Sequence, residues 1–214
     1  RKLIHNPFMA ELAVRVVEAG SQFSSTDGEA VFYEAVWRNV IADESYRKDG
    51  LPARRKQTFI DVAVNRAMAM AYGVQESSFD PIVLLKLEED HLIRRDSAKG
   101  LVSPAHDVLE DLALAEFIEA RFKIHRSDID AFVGSVGFQP AMNRAFRLWL
   151  HQKLRYEPES EDVVTFVISV ISGKIPFWRD EATTSVLLGD NPISFFCKLH
   201  DQLFENGGEL LKRF

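Results

Sequence analysis

The sequence predicts a mainly α chain with one small β-hairpin near its middle. Three observations predict it. Apolar residues recur at the three-and-four spacing of a helix face along most of the 214 residues. Proline and glycine punctuate that rhythm where helices would start and stop, as at Pro7, Gly20, Gly73, Pro81, Gly137, Pro140 and Gly173. Only residues 91–103 exchange helical spacing for alternation, around Lys99-Gly100, which is a hairpin signal.

Each element follows from local chemistry. Asn6 and Pro7 suit the cap and first position of a helix, and Phe8, Leu12, Val16 and Ala19 mark its face up to Gly20. Ser24, Ser25, Thr26 and Asp27 offer caps for a second helix with the stripe Val31, Ala35, Val36, Ile41. Residues 43–52 are polar and read as a loop. A third helix over residues 53–72 sets Phe59, Val62, Ala63, Ala67 and Met70 against Arg54, Arg55, Lys56 and Arg66, with Gly73 ending it. Asp80-Pro81 opens a short helix with Val83, Leu84 and Leu87 on one face. The hairpin segment comes next, then a long helix over residues 107–122 carrying Val108, Leu112, Ala115, Phe117 and Ile118. Helix, helix, hairpin in this order is a winged-helix pattern, the hairpin being the wing.

The remainder reads as a bundle of helices over residues 127–136, 140–156, 160–173, 179–188 and 192–214. Its aromatic residues, Phe146, Trp149, Phe166, Phe177, Trp178, Phe195, Phe196 and Phe204, fall at helical spacing and read as core.

Composition limits what such a chain does. Hydrophobic residues at 46% and charged residues at 27% describe a globular protein able to bury a core. A net charge of -6 argues against a surface built to hold phosphate backbones, and so against nucleic acid as the main partner. Cys197 is the sole cysteine, so no intrachain disulfide forms, which fits a reducing, cytoplasmic setting. The longest apolar run, residues 163–171, is interrupted by Thr165 and Ser169 and is too short for a bilayer. The first residues carry no initiator Met and no signal-type apolar core, so the chain is expected to be a piece of a longer protein.

The stretch Leu84-Leu85-Lys86-Leu87-Glu88-Glu89-Asp90-His91-Leu92-Ile93-Arg94-Arg95, followed by Leu101-Val102-Ser103-Pro104-Ala105-His106-Asp107-Val108-Leu109, resembles the winged-helix region of STAND-type NTPases. These are the NACHT and NB-ARC relatives of the AAA+ proteins and include bacterial defence ATPases. Asn6-Pro7-Phe8-Met9-Ala10-Glu11-Leu12 is similar to the start of the helical lid that follows the nucleotide-binding core in that family. The resemblance covers roughly the first 125 residues. It implies a helical lid over residues 1–72, a winged helix over 73–125 and the opening of a helical arm over 126–214. In function it implies the regulatory, nucleotide-switch portion of an ATP-binding signalling or defence protein.

The sequence lacks a Gly-x-x-x-x-Gly-Lys-Ser/Thr loop to cradle phosphates and a strand ending in paired acids to hold magnesium. The chain is therefore expected to be no enzyme by itself, to have no catalytic residue, and to hold neither ADP nor ATP in isolation. The partner implied is the phosphate-loop core of the same polypeptide, where ADP or ATP would bind, with a homo-oligomer of the parent also expected.

Two residues carry the implied nucleotide contacts. A His at the start of the helix after the wing reaches the β-phosphate of ADP in the family, and His106 holds that place. A lid proline packs on the adenine ring, and Pro7 holds that place. On the residues alone, His106 and Asp107 equally suit helix capping, and Pro7 is better suited to a plain first helical position. Arg15 and Arg66 are candidate phosphate sensors by helix position.

Two other classes compete. His91, His106-Asp107 and Asp128 or Asp130 could imitate the ligand set of an HD-type metal phosphohydrolase. The six histidines lack paired spacing, however, so no zinc site is expected. A nucleic-acid-binding winged helix would use Arg94, Arg95 and Lys99 of the wing, but the helix before it ends in Glu88-Glu89-Asp90 and offers no Arg or Asn to read bases.

Overall fold

The computed structural model describes residues 7–21, 29–42, 50–157, 160–173, 175–189 and 192–214. The chain is mainly helical with one small antiparallel sheet. It divides into two compact units, Arg1–Ala113 and Leu114–Phe214. The expected caps Asn6 and Ser24 to Asp27, and most of the expected loop over residues 43–52, lie outside the described residues.

In the first unit, α1 (Pro7–Glu18) buries Met9, Leu12 and Val16 along one stripe. Helix α2 (Glu29–Val36) continues into a π-helical segment, Trp37–Ala42, and the two bury Phe32, Val36, Val40 and Ile41. Helix α3 (Leu51–Ala69) starts two residues before the expected point, because Pro52 fits a first turn whose N–H groups have no helical partner.

The end of α3 corrects two expectations. The helix stops at Met70, which adopts left-handed backbone with φ 47°, while Met70 N–H reaches Ala67 O and Ala71 N–H reaches Arg66 O. Met70 is consequently 75% exposed and not on the apolar face. Gly73 serves a different purpose from stopping the helix. A Cβ there would lie 3.0 Å from the carbonyl oxygen of Val102 and 3.3 Å from the Leu101 Cβ, so glycine lets the chain run against the sheet.

That close approach creates a strand the sequence pattern did not reveal. β1 (Val74–Gln75) pairs with β3 (Leu101–Pro104), which pairs with β2 (Ile93–Asp96), giving the antiparallel order β1-β3-β2. Ile93 lies opposite Pro104 and Asp96 opposite Leu101. Gly100 takes φ 63° in the wing turn, where Lys99 N–H closes on Asp96 O at 3.0 Å. Two residues are too few to show period-two alternation, which is why β1 stayed hidden.

Helix α4 (Pro81–Glu89) is capped by Asp80, whose Oδ1 accepts from Ile82 N at 2.9 Å. Val83, Leu84 and Leu87 are buried, as the spacing predicts. α3 packs on α4 and on β3. Helix α5 (Asp107–His125) follows β3, and the division between the two units falls within it.

The second unit contains α6 (Ile129–Val136), α7 (Pro140–Tyr156), α8 (Glu161–Ser172), α9 (Pro176–Leu187), α10 (Pro192–Lys198) and α11 (His200–Phe204). Its centre is aromatic. Phe132 meets Phe166 edge-on at 4.9 Å and Phe146 meets Trp178 edge-on at 4.6 Å, the arrangement that the ring quadrupoles favour. Phe146, Trp149, Phe166, Trp178 and Phe195 are buried as expected, whereas Phe204 is 61% exposed. The single helix expected over residues 192–214 is broken, since Asn206, Gly207 and Gly208 take φ 48°, 71° and 75° in succession. Among the described residues, no helix is long and apolar enough to cross a membrane.

Candidate functional site

His106 sits at the junction between the wing and α5. The β2–β3 ladder continues through a bond from Ala105 N to Leu92 O at 2.9 Å, so the chain is held in place up to the residue before it. His106 is the N-cap of α5. Its Nδ1 accepts from Val108 N at 3.2 Å, and its carbonyl accepts from Leu109 N at 3.0 Å and Glu110 N at 3.1 Å. With Nδ1 accepting, the neutral ring carries its proton on Nε2, which is the donor that remains. Asp107 is not the cap. It is exposed in the first turn, where its charge suits the positive end of the helix.

The ring of His106 lies flat on Phe8 of α1, with centroids 4.3 Å apart and planes 8° from parallel. Pro7 is the first residue of α1, and its side chain lies outside the described residues.

The two candidate sensor arginines are engaged inside the fold. Arg66 Nη1 donates to Glu110 Oε1 at 2.5 Å, and Glu110 is 1% exposed. This pair joins α3 to the first turn of α5, one turn beyond His106. Arg15 Nη1 donates to the carbonyl of Asp90 at 2.8 Å. The Asp90 carboxylate in turn pairs with Arg55, whose Nη2 also reaches Val40 O in the π-helical segment at 3.4 Å. Sequence reasoning passed over Phe8, Arg55 and Asp90 as parts of this site. Helical spacing marks Phe8 only as a core residue and Arg55 only as solvent-facing, and neither pattern names a partner far away in the chain.

The wing has little free positive charge to offer a nucleic acid. Arg95 contacts Glu76 at 2.8 Å and Glu88 at 3.3 Å. The hydrogen bond to Glu76 above all, opposed by burial and reinforced by Glu88, raises its pKa above the ordinary guanidinium value. Lys99 pairs with Asp96 at 3.3 Å, leaving Arg94 exposed on the outer side. On α4 Lys86 pairs with Glu89 at 2.6 Å. The helix that would enter a groove thus presents carboxylates and internally paired cations.

His91 stands at the left-handed C-terminal turn of α4 with φ 55°. Leu92 N to Leu87 O and His91 N to Glu88 O, both 2.9 Å, complete that turn. Among the described residues, which include His91, His106, Asp107, Asp128 and Asp130, no three His, Cys, Asp or Glu side chains gather to hold a metal ion.

In the second unit, Glu119 of α5 receives Trp149 Nε1 at 2.7 Å, Lys153 at 3.0 Å and Lys123 at 3.2 Å. Burial pushes its carboxyl pKa up. The Trp149 hydrogen bond and the lysines outweigh that and hold it below the ordinary carboxylate value. Lys153 experiences the converse: burial pulls it down, and Glu157 with Glu119 raises it above the ordinary lysine value. This network fastens α5 to α7.

Compared with known proteins, the chain matches no family model and no curated protein sequence. The geometry of the His106 junction is therefore the ground for a functional reading.

Proposed function

We propose that this chain is the switch-relay portion of a STAND-type ATP-binding protein, a cytoplasmic signalling or defence ATPase. Residues 1–72 serve as the helical lid, 73–125 as the winged helix and 126–214 as the opening of a helical arm. The nucleotide, ADP or ATP, is held by the phosphate-loop core of the same polypeptide, and the parent assembles as a homo-oligomer. This portion supplies no catalysis. It closes over the bound nucleotide and moves when ADP leaves.

The observation that carries the reading is the orientation of His106. Its Nδ1 is taken by its own helix, so Nε2 is the ring atom left to donate. It stands beside the N-terminus of a 19-residue helix, where the helix dipole favours an anion such as the β-phosphate of ADP. The helix–strand–helix–hairpin order and the internally neutralised wing also support a lever in preference to a base reader.

The test is nucleotide exchange in the full-length protein. A hydrogen bond to a charged group contributes about 1.5–3 kcal/mol, so His106→Ala is expected to release ADP about tenfold faster or more and to switch on without its trigger. Unchanged ADP release, with only a lower melting temperature, would leave His106 a helix cap and remove the reading's main support.

A further inference from the structure

Helix α1 touches both ends of the β2–β3 hairpin. Phe8 stacks on His106, which follows β3, and Arg15 donates to the carbonyl of Asp90, which precedes β2. Phe8, Leu12 and Arg15 stand at i, i+4 and i+7, on one face and about 10 Å from end to end. Leu12, between them, is 1% exposed, so the middle of that face is seated in the first unit, with half-buried Phe8 and Arg15 at its ends.

The two contacts on His106 constrain different motions. The Val108 N–H bond fixes Nδ1 and the tautomer, but a ring held at one atom still tilts about that atom. A flat partner parallel to within 8° fixes the plane. We infer that Phe8 is a positioning residue for His106: it holds the imidazole in the plane from which Nε2 donates, and so makes α1 the element that registers the state of that histidine. Arg15 anchors the far end of the same helix, so a tilt of the His106 ring reaches α1 as displacement of one end against a fixed point. The consequence for nucleotide rests on the relay reading; the geometric claim does not.

Amide hydrogen exchange at three neighbouring residues tests it. Val108 N–H depends on the His106 side chain, whereas Leu109 and Glu110 N–H depend on the His106 backbone carbonyl. Phe8→Leu keeps bulk and removes the flat face, and Phe8→Tyr keeps the face. In Phe8→Leu the Val108 amide is expected to exchange about threefold to tenfold faster, with Leu109 and Glu110 unchanged, because only the side-chain bond loses its alignment. Phe8→Tyr is expected to restore the slow rate. An unchanged Val108 rate, or acceleration of all three amides together, would overturn the assignment. Neither result bears on ADP release in a His106 variant, so failure here and failure of the relay reading are told apart.

Discussion

The guanidinium of Arg55 is 2% exposed and pairs with the carboxylate of Asp90 at 2.5 Å, while the Asp90 carboxylate keeps 37% of its surface in solvent. The pair is therefore asymmetric. Removing Asp90 leaves a buried cation whose Nε already has no partner among the described residues. Removing Arg55 leaves a carboxylate that water can solvate.

Asp90→Ala is accordingly expected to destabilise the first unit by about 3 kcal/mol, the scale for orphaning a buried charge. Arg55→Met, which fills the same space with apolar atoms, is expected to cost much less. Urea unfolding of both variants checks this. A larger loss from Arg55→Met would mean that the cation is not the strained partner.

Met70 ends α3 in left-handed backbone, and its side chain points to solvent. A non-glycine residue there costs about 1 kcal/mol, with no buried contact in return. Met70→Gly is expected to raise the unfolding midpoint by about 2–4 °C. A lower midpoint in a thermal melt would show that Met70 holds a contact worth more than its backbone strain.

The Glu119–Lys153 network predicts a pH dependence with two edges. Glu119 has a lowered pKa in the folded chain, so its contribution is present above the unfolded carboxylate value, about 4.3, and fades as pH falls through the lower folded value. Lys153 has a raised pKa, so its contribution is present below about 10.4 and fades as pH rises through the higher folded value. Glu119→Gln keeps an acceptor for Trp149 but no charge for Lys153. Its melting temperature is expected to lie below that of the native chain at pH 7, with the gap closing as pH falls below about 4. A gap that persists in acid would assign the network's effect to packing.

Much of the fold was legible because helix faces repeat locally. The stripes of α1 and α4 and the switch to alternation at residues 91–103 need no knowledge of distant partners. What was missed depends on such partners. β1 exists because Gly73 lets the chain lie against Val102, and Arg55 is buried because Asp90 and Val40 O receive it. The site was legible to the same degree. Pro104-Ala105-His106-Asp107 marked a helix start after a hairpin, but that His106, and not Asp107, is the cap depends on backbone that the ladder from Leu92 to Ala105 sets. The Phe8 stack, across 98 positions of sequence, left no local signal.

His106→Ser separates the two roles of this residue in one variant. Serine is a strong N-cap, so α5 keeps its first turn, but its short hydroxyl does not extend where the imidazole Nε2 stands. The measurement is the ADP dissociation rate of the full-length protein, native and His106→Ser, beside their melting temperatures. The relay account predicts ADP release about tenfold faster, with the fall in melting temperature limited to what the lost Phe8 stack contributes, since serine keeps the cap and the other lost bond is made to the charged phosphate. Equal dissociation rates in the two proteins would contradict it.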